Sequence, residues 1–234
     1  MLRLRIGITL FALALVPLLF AQCPTQCNPP GQPPIGGCYV WDYSTCSWVE
    51  SIPCDNSPIV IDTDGTGFHL TSAADGVLFD FFGNGKPIQI AWTAKDSTTG
   101  WLALPVNGQI TSARDLFGNF TAQFLTKDHP PNGFAALAVY DMPAYGGNND
   151  SVIDSKDEVW GKLRVWIDAN HDGLAQPEEL HTMEEVGILR ISLHYELSEY
   201  TDQYGNHFRY KGHLVPVRGD DVDRLIFDVF LVTL

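Results

Sequence analysis

After Cys54 the chain contains no cysteine, and no C-x-x-C pair occurs anywhere in its 234 residues. A thiolate zinc site therefore has little support, and the five cysteines (23, 27, 38, 46, 54) read as an exported disulfide cluster with one left over. Their connectivity stays open at this level. Basic residues are also scarce, with Lys and Arg totalling 14 against 28 Asp and Glu, for a formal charge of -14. Such a surface repels phosphate backbones and anionic lipid, which argues against nucleic acid and peripheral membrane partners. No G-x-S-x-G elbow and no H-E-x-x-H pair is present, so neither a nucleophile elbow nor a zincin site is offered. The sequence points to a protein that is not an enzyme.

The one long apolar run, "IGITLFALALVPLLF", follows the basic "MLRLR" and ends at Ala21. Polar, Pro-rich sequence follows at once, so residues 1–21 read as a secretory signal peptide and not as a stable membrane insertion. Gln22 stands where lipid attachment at Cys23 needs a small residue. Without Arg3 and Arg5 the charge becomes -16, and the expected localisation is extracellular or periplasmic. Composition then divides the rest into a Cys/Pro-rich segment (22–57), a turn-rich module (58–187) and three strand-like runs (188–234).

In the first segment "CYVW" and "CSWV" flank "DYST", which predicts a short hairpin with Cys38 and Cys46 near each other. In the second, "PIVID", "GVLFDFF", "PIQIAW", "WLALPV" and "LRVWID" read as strands between Gly/Asn/Asp turns. Three helices are expected: "FAALAVYDM", a capping-box helix from Ser155 with Glu158 at its third position, and "PEELHTMEEV" from Pro177 to a Gly187 cap. In the third segment "TDQYGNH" marks a hairpin. The expected class is α+β, with short antiparallel strands, a few short helices, EF-hand-like calcium loops and a C-terminal antiparallel sheet.

Calcium enters through "DANHDGLAQPEE", residues 168–179. An EF-hand-type loop needs oxygen ligands at positions 1, 3, 5, 7, 9 and 12, and a glycine at 6 for the sharp turn. Those positions are Asp168, Asn170, Asp172, the carbonyl of Leu174, Gln176 and Glu179, with Gly173 at the turn. A ligand set made of hard oxygens favours Ca²⁺ over zinc or copper. His171, at position 4, is expected to point to solvent. A second, eroded copy lies 22 residues upstream: Asn148, Asp150, Val152, Asp154 and Asp157. There Gly146 takes position 1 without an oxygen side chain, Ser151 replaces the glycine, and Asp141, before the apparent insertion "MPAYGG", is the candidate for the missing ligand. The shorter pieces around Asp62 and Asp64, around Asp80 and Asn84, and at Asn107 read as turns and not as sites.

The stretches "SPIVIDTDGTGFHLTSAADGVLFDFFGNGK", "DLFGNFT", "NGFAALAVYD", "NDSVIDSKDEVWGKLRVWIDANHDGLAQPEEL" and "VGILRISL" resemble, in order, the calcium-dependent module of RTX-type secreted bacterial proteins. The likeness spans about residues 57–192. It implies calcium binding. Some members also process themselves at an Asp-Pro bond, where the Asp carboxyl attacks its own carbonyl to form an anhydride. Here the matching bond is Ser57–Pro58 and no Asp-Pro occurs, so the resemblance does not extend to processing. The expectation is a secreted, non-enzymatic protein whose fold Ca²⁺ stabilises. The alternatives are a secreted hydrolase, a calcium-dependent self-processing protein, or a dockerin-like adhesion module suggested by the 22-residue repeat. No protein partner is legible.

Overall fold

A computed structural model describes residues 27, 29, 34, 38–50, 57–127, 130–216 and 224–234. The signal-peptide reading and the positions of Cys23 and Cys54 lie outside the described residues. The strands, in chain order, are β1 (Tyr39–Asp42), β2 (Ser47–Glu50), β3 (Ile59–Asp62), β4 (Val77–Phe79), β5 (Ile88–Ile90), β6 (Thr99–Ala103), β7 (Val152–Ile153), β8 (Arg164–Trp166), β9 (Leu180–His181), β10 (Ile188–Ser192), β11 (Glu196–Thr201), β12 (His207–Pro216) and β13 (Arg224–Phe230). One α-helix is present among the described residues, α1 (Gly133–Ala138).

Nine strands make one antiparallel sheet in the order β7-β10-β12-β13-β3-β6-β8-β9, with β11 paired to the other half of β12. Because β13 lies between β12 and β3, the C-terminal strands and the turn-rich segment share this sheet. Its middle is covered on both faces. Every residue of β3 and β6 is buried, which is why "PIVID" and "WLALPV" read as continuous apolar runs instead of alternating ones. Val60, Trp101 and Trp166 point into one core with Trp92, Phe79 and Phe81. Their neighbours Ile59, Ile61, Leu102 and Val165 point into the other, with Phe134 and Leu137 of α1. In the first core Trp92 packs 4.9 Å from Trp101 and 5.4 Å from Trp166 between ring centroids.

The α+β expectation is overturned, because the protein is mostly β and no EF-hand helices flank the loops. Of the three expected helices only "FAALAVYDM" forms, capped by Asn132, whose side chain accepts from Ala135 N at 2.9 Å. The Ser155 helix is absent. Asp157 turns back to accept from Asp154 N at 2.8 Å, and a single 3₁₀ turn, Trp160–Lys162, leads into β8. "PEELHTMEEV" is cut to the 3₁₀ turn Pro177–Glu179, because Leu180 and His181 pair with Trp166 and Val165. Sheet pairing with a buried strand outweighs the helical propensity of a segment this short. Gly187 still makes its turn, with φ at +71°. The predicted hairpins form as β1–β2 and β11–β12. Cys46 bonds Cys27, and Cys38 is also in a disulfide.

Candidate metal centre

The loop 168–179 closes the β8–β9 pair, and its base is fastened by Ile167 N donating to Glu179 O at 3.0 Å. Asp168, 1% exposed, heads it. One carboxylate oxygen accepts from Asp172 N at 3.1 Å, the other from Gly173 N at 2.8 Å and from the indole of Trp92 at 2.8 Å. Gly173 is buried with φ at +71°, the left-handed turn that position 6 demands. Asn170 accepts from Asp172 N at 2.9 Å, and Asp172 accepts from Leu174 N at 2.8 Å. Leu174 has an apolar, exposed side chain, so the one oxygen it offers a cation is its carbonyl. Glu179, 6% exposed, accepts from Gln176 N at 3.3 Å and from the Trp166 indole at 3.2 Å.

Asn170, Asp172 and Gln176 meet at the mouth. The amides of Asn170 and Gln176 both donate to one oxygen of Asp172, at 3.0 and 2.9 Å. Among the described residues no group of three or more His, Cys, Asp or Glu side chains closes to metal-holding distance. The donor set nevertheless fits calcium chemically. Every group is a hard oxygen, the backbone already follows the turn, and an amide that rotates presents oxygen where it now presents N–H. Two buried carboxylates at the ends of one loop also lack a cation. The ion pairs among the described residues are Lys156–Asp150, Lys156–Asp154 and Lys211–Glu196, none of which touches Asp168, Asp172 or Glu179. Backbone N–H groups offset only part of what a buried charge costs.

His171 departs from expectation. It is half-buried, with ring nitrogens 2.7 Å from Thr93 O and 2.8 Å from Asp75 O, so it pins the loop to two neighbouring segments. Position 4 points away from the ligands, as its place in the pattern requires, but a neighbouring segment lies there in place of solvent.

The upstream copy repeats the main turn bonds of the first loop once Asp141 is its head, without counterparts to the two indole donors. Asp141, 6% exposed and delivered by the 3₁₀ turn after α1, accepts from Asp150 N at 3.1 Å and Ser151 N at 2.9 Å. The insertion forms its own turn, Pro143–Tyr145, and leaves the ligand register intact. Asn149 and Ser151 take φ of +58° and +66°, beside +64° and +71° at His171 and Gly173. Val152 N donates to Asp150 at 3.1 Å, and Asn148 donates to Asp150 at 2.8 Å. The closing acid is Asp157, 4% exposed, whose one oxygen accepts from Asp154 N at 2.8 Å while the other is buried and makes no well-formed hydrogen bond among the described residues. Burial pushes the Asp157 carboxyl up, backbone N–H donors oppose this, and the carboxylates of Asp141 and Asp154 add to it. The Asn148 amide, then Lys156, hold Asp150 below the usual carboxylate value.

Two further turns share the aspartate head. Asp80 accepts from Asn84 N and Gly85 N at 3.0 and 2.8 Å, and Asp62 from Gly65 N and Gly67 N at 2.9 and 2.8 Å. Phe82 and Lys86 stand at positions 3 and 7 of the former, so the turn shape survives with few ligands. Asn107, with φ at +52°, shapes the tight turn between Val106 and Gln109. Reading the sequence alone missed the two indole donors, Trp92 and Trp166, although Trp166 lies two residues before Asp168 in an alternating strand.

The chain matches the SPM domain family over residues 59–231. It belongs to that family. The matched range takes in both loops and the sheet from β3 to β13, and it leaves the β1–β2 hairpin outside. A curated relative, the iron-regulated protein FrpA of Neisseria meningitidis serogroup C, is 35% identical over 141 residues, 59% of this chain. The alignment covers 12% of FrpA, so this SPM domain protein corresponds to a small part of that relative. Among the described residues of the SPM domain protein no helix is long and apolar enough to cross a membrane.

Proposed function

We propose that this is a secreted, non-enzymatic calcium-binding protein in which Ca²⁺ joins core elements of the sheet. The observation that carries the reading is the repeated loop: two buried acids bracket each copy, with matching turns and matching N–H donors to the head aspartate. In loop 168–179 the residues that would hold the ion are Asp168, Asn170, Asp172, the Leu174 carbonyl, Gln176 and Glu179. In the other copy they are Asp141, Asn148, Asp150, the Val152 carbonyl, Asp154 and Asp157. Bound calcium neutralises the convergent carboxylates; the chain's part is to hold them on short turns anchored in β7, β8 and β9. In an exterior with about 1 mM Ca²⁺, a Kd of about 10⁻⁴ M fills the site and adds about 1.4 kcal/mol per ion. The resemblance to calcium-dependent RTX modules points the same way.

Hydrogen exchange with calcium and with chelator tests this. Amides of residues 141–192 are expected to lose protection when calcium is removed, with no dye-binding apolar surface appearing in either state. Equal protection in both states would sink the reading, while a new dye-binding patch on adding calcium would replace it with a sensor.

Processing is not part of the proposal. Ser57 is buried, with its hydroxyl accepting from Asn119 N at 3.1 Å, and it has no carboxyl with which to form an anhydride. Purified protein given calcium is expected to stay intact at Ser57–Pro58 by mass spectrometry. A fragment beginning at Pro58 would show that another residue supplies the chemistry.

A further inference from the structure

The two loops differ most in charge at one position. Lys156 reaches across loop 141–157 with its ammonium 3.1 Å from Asp150 and 3.4 Å from Asp154, the acids at positions 5 and 9. The residue 22 places on, in the other loop, is Glu178. We propose that Lys156 is a built-in counter-ion that competes with calcium, so that loop 141–157 keeps its shape without the ion and fills at higher calcium than loop 168–179. This rests on the calcium reading above.

Three observations support it. The ammonium touches the oxygens that a cation in this loop would take, and among the described residues no cationic side chain lies on the acids of loop 168–179. Lys156 is 63% exposed on its side chain, so the pair is a weak surface pair and the ammonium can swing away. Independently, the buried second oxygen of Asp157 makes no well-formed hydrogen bond among the described residues and is not bonded by Lys156, so the closing acid of the loop keeps a free acceptor site. An ammonium beside a divalent ion repels it even in water, and moderate salt leaves part of that effect. Removing the charge is expected to tighten calcium binding at this loop by about three- to tenfold.

The experiment is a calcium titration by calorimetry on the full chain carrying Glu179→Ala, which isolates loop 141–157, with and without Lys156→Met. Lys156→Arg, which keeps the charge, separates charge from lost side-chain packing and is expected to match the lysine. In the otherwise natural chain, Glu178→Lys is expected to weaken loop 168–179. Hydrogen exchange in chelator gives a second readout: with Lys156→Met, residues 148–157 are expected to lose protection that the lysine chain keeps. An unchanged affinity in Lys156→Met, or binding at loop 168–179 with none at loop 141–157 in either variant, overturns this inference and leaves the calcium reading standing. No calcium heat in the natural chain overturns both.

Discussion

Glu179→Ala is expected to abolish calcium binding at loop 168–179. Position 12 supplies the only acid at a ligand position on the closing side of the loop, and in EF-hand-type loops it is the bidentate ligand. Truncation has a second effect. The Trp166 indole and Gln176 N both donate to this carboxylate, at 3.2 and 3.3 Å, in a site where Glu179 is 6% exposed. A buried donor left without an acceptor costs about 1–3 kcal/mol, so the variant should also melt lower in chelator. Glu179→Gln separates the two effects, because the amide oxygen still accepts from the indole while the charge is gone. Calorimetry together with thermal melts in calcium and in chelator reads both. Unchanged calcium heat in Glu179→Ala would remove the assignment of this loop.

Asp228→Asn is expected to stabilise the protein at pH 8 and to flatten its stability between pH 4 and 7. Asp228 lies in β13, fully buried, with one oxygen accepting from Gly133 N at 2.6 Å and the other making no well-formed hydrogen bond among the described residues. Burial lifts its carboxyl from 3.8 to about 6, against the opposing Ser57 hydroxyl and Gly133 N–H. The folded state therefore holds its proton more tightly than the unfolded chain does. That stabilisation is fully present below about pH 4 and is lost as pH rises through 6. Above pH 7 the ionised form costs up to about 3 kcal/mol relative to the protonated one. Asparagine keeps an acceptor for Gly133 N and carries no charge. Other carboxylates act equally in both chains, so the difference in denaturation midpoint between pH 5 and pH 8 isolates this group. Parallel profiles for the two chains would show that Asp228 is not protonated near neutrality.

Helices and metal-loop heads divide what was legible in the sequence from what was not. The spacing D-x-N-x-D-G determined the turn at 168–173, because the head aspartate bonds the fifth and sixth N–H groups locally and glycine permits the positive φ. Runs such as "PIVID" and hairpins such as "TDQYGNH" determined their strands in the same local way. The sequence also held Asp141 as the stand-in for Gly146, but only the folded chain shows that a six-residue insertion can loop out and return Asn148 to register.

Tertiary structure decided the rest. "PEELHTMEEV" has good helix formers and a proline start, yet two of its residues complete a strand pair with β8, and long-range pairing is invisible to a local pattern. His171 faces Thr93 and Asp75, 78 and 96 residues away, and Asp168 receives the Trp92 indole from 76 residues away. Cys46 bonds Cys27 across 19 residues, where the hairpin by itself had brought it near Cys38. Turns and strand runs are set by neighbours within six residues, so the sequence by itself determined them. Partners for buried polar groups are chosen by which segments the sheet brings together, so only the tertiary structure decided those.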